Sequence, residues 1–309
     1  MTLPRYQPML ATAWPAPFTE SGWHFEPKWD GIRGILAWNG STVTLHTRTG
    51  AEVASRYPEL VPSKTVPVCV LDGEVVVLSG GRASFERLQQ RSALSPLGLR
   101  DHPVSFVAFD LLHLDQRSLI EAPIEERRNT LESLGLSEPF VTVNPVDDGN
   151  ALWSVVVQRD LEGMVAKRVG SPYRPGWRSA DWRKVAHLHT VKAVVGGFTP
   201  GEGGRIGSFG ALVLGLRDGD RLRWIGSVGT GFSDQDLSAI RIALGEMRSS
   251  ESPFHPHPEM PAMTPVEPVL VAAVAYRNWT NAGRVRHPRF KGFTGDAVEE
   301  VTWEKEGPG

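Results

Sequence analysis

An amine, a carboxylate and a guanidinium crowd into six residues of the stretch Glu26-Pro27-Lys28-Trp29-Asp30-Gly31-Ile32-Arg33-Gly34. A tight turn here requires only Gly31, so Lys28, Asp30 and Arg33 exceed what the backbone asks for. A lysine amine must be neutral to act as a nucleophile, and neighbouring cations lower its ordinary pKa of about 10.4. A second station is Asp72-Gly73-Glu74, set between Cys69-Val70-Leu71 and Val75-Val76-Val77. Polar groups inside so apolar a run are costly to bury without partners, and that cost marks a site. On residue types alone the chain reads as a phosphate-handling enzyme.

The elements that must position these groups follow from periodicity. Trp23 and Phe25 on one side and Ile35 to Trp38 on the other read as a strand, a tight turn at Gly31 and a second strand. Val43 to Arg48 alternates as a strand that ends at Thr49-Gly50, and a short helix is expected over Val53 to Leu60. Strands are expected over Val68 to Leu78 and Val104 to Leu112. Helices are expected after Ser84 (Phe85, Leu88, Leu94), over Glu125 to Leu134, and over Ala151 to Arg159 with Asp148 as its cap. Residues 1 to 22, with Pro4, Pro8, Pro15 and Pro17, read as an extended surface segment.

A domain boundary is expected near residue 189. Beyond it, strands at 190–199, 208–216, 222–228, 268–276 and 298–303 surround a helix that Ser233 and Asp236 open as a capping box. That helix carries Leu237, Ile240, Leu244 and Met247 on one face. Five strands and one helix suit a small OB barrel, with Pro253 to Pro268 as a connector, and the whole chain is α+β. The glycine-rich stretches at 201–210 and 226–231 match no phosphate-loop or dinucleotide pattern and read as turns.

At 309 residues, 40% hydrophobic and 22% charged, the composition is that of a two-domain soluble protein without a membrane span. One cysteine, Cys69, excludes a disulfide framework and a thiolate metal cluster, and a reducing cytoplasm is the expected compartment. A net charge of -2 means that any grip on nucleic acid must come from a local positive face.

Lys28-Trp29-Asp30-Gly31-Ile32-Arg33 resembles the nucleotidyl-acceptor motif K-x-D-G-x-R of the ATP-dependent DNA ligases. The further stations follow in order: Arg48-Thr49-Gly50, Asp72-Gly73-Glu74, Phe106 to Leu112, Glu162-Gly163-Met164-Val165-Ala166-Lys167 and Trp182-Arg183-Lys184. The chain looks closest to the ligase domain of bacterial end-joining ligases and their small stand-alone relatives. The resemblance implies an adenylation domain at 1–189, with antiparallel sheets and flanking helices, followed by an OB-fold domain at 190–309. It implies Lys28 as nucleophile and Asp30, Arg33, Glu74, Glu162 and Lys184 as its catalytic companions. ATP contacts fall to Glu26, Lys28, Arg33, Arg48, Glu74, Phe109 as the adenine platform, Glu162, Lys167 and Lys184. Glu74 and Glu162, hard oxygen donors, would hold magnesium, with manganese as a substitute ion. The implied substrate is nicked double-stranded DNA, and the protein is expected to be a bacterial, nucleoid-associated monomer that meets repair or end-joining proteins.

The chain departs from the family pattern twice. The fifth motif, usually W-x-K-x-K, has Ala186 at its second lysine. The last, usually R-x-D-K after Arg286-His287-Pro288-Arg289-Phe290-Lys291-Gly292-Phe293, reads Thr294-Gly295-Asp296-Ala297. These losses keep open two alternatives, an RNA ligase or related nucleotidyltransferase and a docking or nucleic-acid-binding protein without turnover.

Overall fold

The structure is a computed structural model and describes residues 3–79, 82–91, 102–260 and 262–308. The chain divides into two compact units, Met1–His187 and Leu188–Gly309.

Unit 1 is built on two sheets. Its strands are β1 (Leu10–Ala13), β2 (Trp23–Pro27), β3 (Ile32–Trp38), β4 (Val43–Thr47), β5 (Cys69–Ser79), β6 (Arg82–Ala83), β7 (Val104–Leu114), β8 (Arg117–Ser118), β9 (Phe140–Thr142), β10 (Gly163–Arg168) and β11 (Arg178–Ala186). Its helices are α1 (Phe85–Gln90), α2 (Ile124–Ser133) and α3 (Gly149–Gln158). One sheet runs β1-β11-β10-β2. The other runs β4-β3-β5-β7-β8, with β6 and β9 attached to β5 and β7.

Alternation along the strands sorts the side chains into layers. Trp23 and Phe25 of β2, Met164 and Ala166 of β10 and Val185 of β11 pack with Val156 of α3. The opposite faces of β10 and β11 offer Val165, Lys167, Trp182 and Lys184 to the space between the sheets. On the second sheet Leu36, Trp38, Leu71 and Val75 pack with Leu88 of α1 and Leu131 of α2. Ile35, Val70, Val76 and Phe109 instead meet Trp182 and Tyr173 between the sheets. Asp148 caps α3 by accepting from Asn150 N and Ala151 N, both at 3.0 Å.

Unit 2 is an OB fold made of β12 (His189–Pro200), β13 (Phe209–Asp218), β14 (Arg221–Val228), β15 (Thr264–Tyr276) and β16 (Arg289–Thr294), with helices α4 (Asp234–Glu246) and α5 (Trp303–Glu306). The antiparallel order is β14-β13-β12-β15-β16. The sheet curls until its ends meet, where Phe290 N donates to Thr230 O at 2.9 Å and Thr230 Oγ1 donates to Pro288 O at 3.1 Å. Ser233 and Asp236 form the expected capping box, and Ile240 and Leu244 of α4 enter the barrel core.

Several expectations change. Val53 to Leu60 holds only one 3-10 turn, Ala54–Arg56, because Val53, Tyr57 and Leu60 are pinned separately into the core. The extended N-terminal segment contains a strand, β1, paired in parallel with β11. The fifth barrel strand is Arg289–Thr294 and not 298–303. There, Val298–Glu300 is a 3-10 turn and Trp303 opens α5, which packs the large ring against the barrel. The connector ends at Met263, since Thr264 already begins β15. Leu94 lies outside the described residues.

Candidate active site

β2 and β3 do not form a hairpin: they belong to different sheets, and Lys28 to Gly31 carries the chain across from one to the other. That crossover places Lys28 where the sheets face each other. Gly31 is required here by close approach and not by a turn. A Cβ on it would stand 2.2 Å from Val75 O and 2.8 Å from Glu74 Cγ. Lys28 N donates to Gly163 O at 2.9 Å, and Gly163 has a φ of +148° with no room for a side chain against Val185 O. The two glycines thus lock the Lys28 segment to the start of β10 and to β5.

The resulting cleft, about 390 Å³, is lined by Glu26, Lys28, Trp29, Arg33, Arg48, Glu74, Phe109, Lys167, Arg178, Trp182 and Lys184. Lys28 Nζ donates to Glu162 Oε1 at 2.5 Å. Arg33 and Glu74 sit opposite each other in the β3–β5 ladder, and Lys184 sits opposite Val165 in the β10–β11 ladder. Arg33 is clamped by Asp72 through Nε to Oδ1 and Nη2 to Oδ2, both 2.6 Å, while Tyr173 Oη donates to Asp72 Oδ2 at 2.6 Å. Asp72 is fully buried, so this bidentate pair answers the cost of placing a carboxylate inside β5.

Behind the cleft lies a second buried network. Lys167 Nζ meets Glu26 Oε1 at 2.6 Å, and Arg128 Nη2 of α2 donates to Glu26 Oε2. Next to it Arg127 makes two 2.7 Å bonds to Asp110. Lys167 also lies 4.5 Å from the Phe109 ring centroid and 4.3 Å from that of Trp182, and Arg33 lies 4.6 Å from that of Phe109. Phe109 is the extra residue of a bulge, between the pairs Asp72–Asp110 and Gly73–Ala108, and bulges re-aim side chains in this way.

The environment moves the titrating groups. Burial pushes the Glu74 carboxyl up to about 8, with Arg33 and Lys28 pulling it down and Glu162 and Asp72 pushing it further up. Burial brings Lys167 down to about 8 even though Glu26 favours its charge. Lys184 is lowered by burial first and then by Lys28 and Arg178. Burial would lower Arg33 as well, but Asp72 more than reverses this, and Arg33 stays a fixed cation.

Of the residues singled out in sequence, Glu26, Lys28, Arg33, Arg48, Glu74, Phe109, Lys167 and Lys184 line one cleft, with Glu162 on Lys28. Asp30, half-buried, is not among the lining residues. His187 turns to Asp160, 3.4 Å away, and to the Trp153 ring. Lys192 belongs to unit 2 and pairs with Asp296 at 2.5 Å. Arg178, Asp72, Tyr173 and Arg128 escaped the sequence reading. For Arg128 the only available signal was a charged pair, Arg127-Arg128, in an otherwise surface-like helix.

Two family models cover this architecture. One described as the ATP dependent DNA ligase domain matches residues 8–186, and one described as the ATP dependent DNA ligase C terminal region matches residues 205–297. The multifunctional non-homologous end joining protein LigD of Mycolicibacterium smegmatis is 38% identical over 97% of this chain and 40% of its own length. The chain therefore spans about two fifths of the LigD relative it matches. DNA ligase C1 of the same organism is 32% identical over 92% of this chain and 88% of its own. The crystal structure of the ligase domain of M. tuberculosis LigD superimposes with a TM-score of 0.55 at 35% identity, covering 96% of this chain and 98% of that one. No helix among the described residues is long and apolar enough to cross a membrane. One family accounts for both the inter-sheet cleft and the barrel, and the chain belongs to the ATP-dependent DNA ligases.

Proposed function

We propose that this protein seals 5'-phosphate/3'-hydroxyl nicks in duplex DNA through a lysyl-AMP on Lys28. The observation that carries the reading is Lys28 itself. Its amine is fixed at the crossing of two sheets, 2.5 Å from the Glu162 carboxylate, and faces a cleft that also holds Arg33, Lys184 and Glu74. Glu162 is placed to take the proton that Nζ must lose before attack. Nζ then bonds to the α phosphorus of ATP and pyrophosphate leaves. AMP passes to the 5' phosphate of the nick, and the 3' hydroxyl displaces it. Arg33, held rigid by Asp72, and Arg48 at the exposed rim bind phosphate oxygens, while Lys184 and Lys167 offset charge as it develops. Asp30 would act on the 3' hydroxyl step, outside the cleft lining. Phe109 would serve the adenine, and its ring is already paired with Arg33 and Lys167.

Glu74 and Glu162 raise each other's proton affinity across the cleft, a donor set of hard oxygens that suits magnesium or manganese. A bound divalent ion would neutralise phosphate charge there. The proposal extends to nicked DNA as substrate, to end-joining or repair proteins as partners, and to a monomer working at the nucleoid.

The test is single-turnover labelling with α-labelled ATP and magnesium, then chase with nicked duplex. Labelling lost in Lys28→Ala and label discharged by the nick are expected. Absence of labelling in the native chain after bound AMP is stripped, together with failure to seal preadenylylated nicks, would sink the reading.

A further inference from the structure

Unit 2 is almost neutral, with 13 Lys and Arg against 14 Asp and Glu, so its charge carries no message in total. Its distribution does. Eight of those cations fall in the segments 217–223 and 277–291, which contain two carboxylates, Asp218 and Asp220.

The fold joins these segments. Val285 N donates to Ile225 O at 2.8 Å. The Arg284 guanidinium lies 4.2 Å from the Trp224 ring centroid, with Nη1 on the Trp224 carbonyl oxygen. Arg223 lies 3.6 Å from the Trp303 ring centroid. Between them runs a groove of about 410 Å³ lined by Arg223, Trp224, His255, Ala282 and Arg284, with Asp218 at its edge. Among the described residues neither arginine has a carboxylate within ion-pair distance, Asp218 included. Arg284 is held below its ordinary range by burial and then by Arg223, so the two guanidiniums repel and an anion between them would relieve both. The indoles keep each guanidinium flat and ordered, which lowers the entropy lost when it grips a ligand.

We propose that this groove binds backbone phosphates of a polynucleotide, with Arg223 and Arg284 as paired clamps. The inference rests on the reading that the chain acts on DNA. A single free phosphate or pyrophosphate shares the chemistry, but eight cations along two adjoining segments exceed what one phosphate needs and match a repeating polyanion.

The test uses the full chain with Arg223→Gln, Arg284→Gln and the double variant. Three quantities are read: anisotropy of a labelled nicked duplex across a salt series, lysyl-AMP labelling without DNA, and calorimetric titration with pyrophosphate. The double variant is expected to bind duplex about tenfold more weakly, with the slope of log affinity against log salt shallower by about 2. Labelling and pyrophosphate binding should stay as in the native chain. Because Arg284 also bonds a backbone carbonyl, two milder variants keep the test decisive if the double variant unfolds. Arg223→Gln alone should flatten the slope by about 1, and Arg284→Lys should leave it unchanged. Unchanged duplex affinity and slope overturn the proposal, as does a loss confined to pyrophosphate binding or labelling. If native labelling fails while the variants still lose duplex binding, the groove stands and the ligase reading falls.

Discussion

Glu26 is the single carboxylate between two buried cations, and Glu26→Gln should expose what it does. In the native protein Glu26 is 3% exposed, Lys167 1% and Arg128 6%, with Lys167 and Arg128 on its two oxygens. The substitution keeps shape and leaves both cations buried without that counter-charge. Removing one member of a buried ionic cluster costs about 3–5 kcal/mol, and that loss is expected here. The protonation of Lys167 should move as well. Burial already brings it from an ordinary 10.5 to about 8 while Glu26 holds it up. Without Glu26 its pKa falls further, and at neutral pH the amine becomes neutral. For a lysine lowered in the folded state, the unfolded chain binds more protons, so stability rises with pH between the folded and the ordinary values. That window runs from about 8 to 10.5 in the native chain and should begin lower in the variant. Denaturant titrations at several pH values measure the stability, and the pH profile of lysyl-AMP formation measures the charge on Lys167. Activity lost at pH 8 but partly regained toward pH 6 is the expected signature. A stability change under 1 kcal/mol together with an unmoved pH profile would refute the reasoning.

Asp72→Asn should cost about 3–5 kcal/mol, because Arg33 loses its bidentate partner inside the core and Tyr173 keeps only part of its own; chemical denaturation reads it. Glu74→Gln should abolish activity yet raise the melting temperature above that of the native chain at pH 8.5 and leave it nearly level at pH 4.5. A carboxyl raised from an ordinary 4.5 to about 8 by burial loses stability as pH climbs through that interval, and the amide does not. Gly31→Ala should destabilise by about 1–3 kcal/mol, since its methyl group meets Val75 O and Glu74 Cγ, and should slow labelling by displacing Glu74. Ser233→Ala should cost about 1 kcal/mol in the transition reported by the barrel tryptophans Trp224, Trp279 and Trp303, with labelling unaffected.

What the sequence displayed well were groups whose presence a local element could not justify. Lys28, Arg33 and Glu74 stood out because neither a turn nor a strand needs them, and they share one cleft. Capping also read correctly, since Asp148, Ser233 and Asp236 act within four residues of themselves. What stayed hidden depends on distant pairing. β2 and β3 look like a hairpin in sequence, and only the pairing of β2 with β10 and of β3 with β5 reveals a crossover between sheets. The bulge that turns Phe109 toward Arg33 and Lys167 appears only when β5 and β7 are laid side by side. Arg128 is 102 residues from the carboxylate it holds. The misplaced fifth barrel strand has the same origin. Arg289 to Thr294 is polar at alternate positions but carries Gly292, whose φ of +141° is a strand-weakening feature that pairing with β15 overrides.

Ala186 reads in sequence as a missing phosphate contact, and the cleft changes the weight of that loss. It ends β11 opposite Gly163 and is exposed. The same strand begins with Arg178, which lines the cleft and whose Nη1 donates to Ala11 O at 2.6 Å. Lys184, between them, is already lowered by burial and by Lys28, Arg178 and Arg48. An ammonium two residues further on would add to that repulsion and strip charge from Lys184, whereas a guanidinium keeps its own proton in the same crowd. The strand therefore carries its second cation at 178 in place of 186. The loss of about 1.5–3 kcal/mol expected for a deleted charge-assisted contact is an upper limit at Ala186. Thr294 and Ala297 have no such counterweight within unit 2, where Asp296 is already engaged by Lys192 at 2.5 Å. If one step of the cycle is slow in this protein, the barrel residues and not the end of β11 are where the deficit lies.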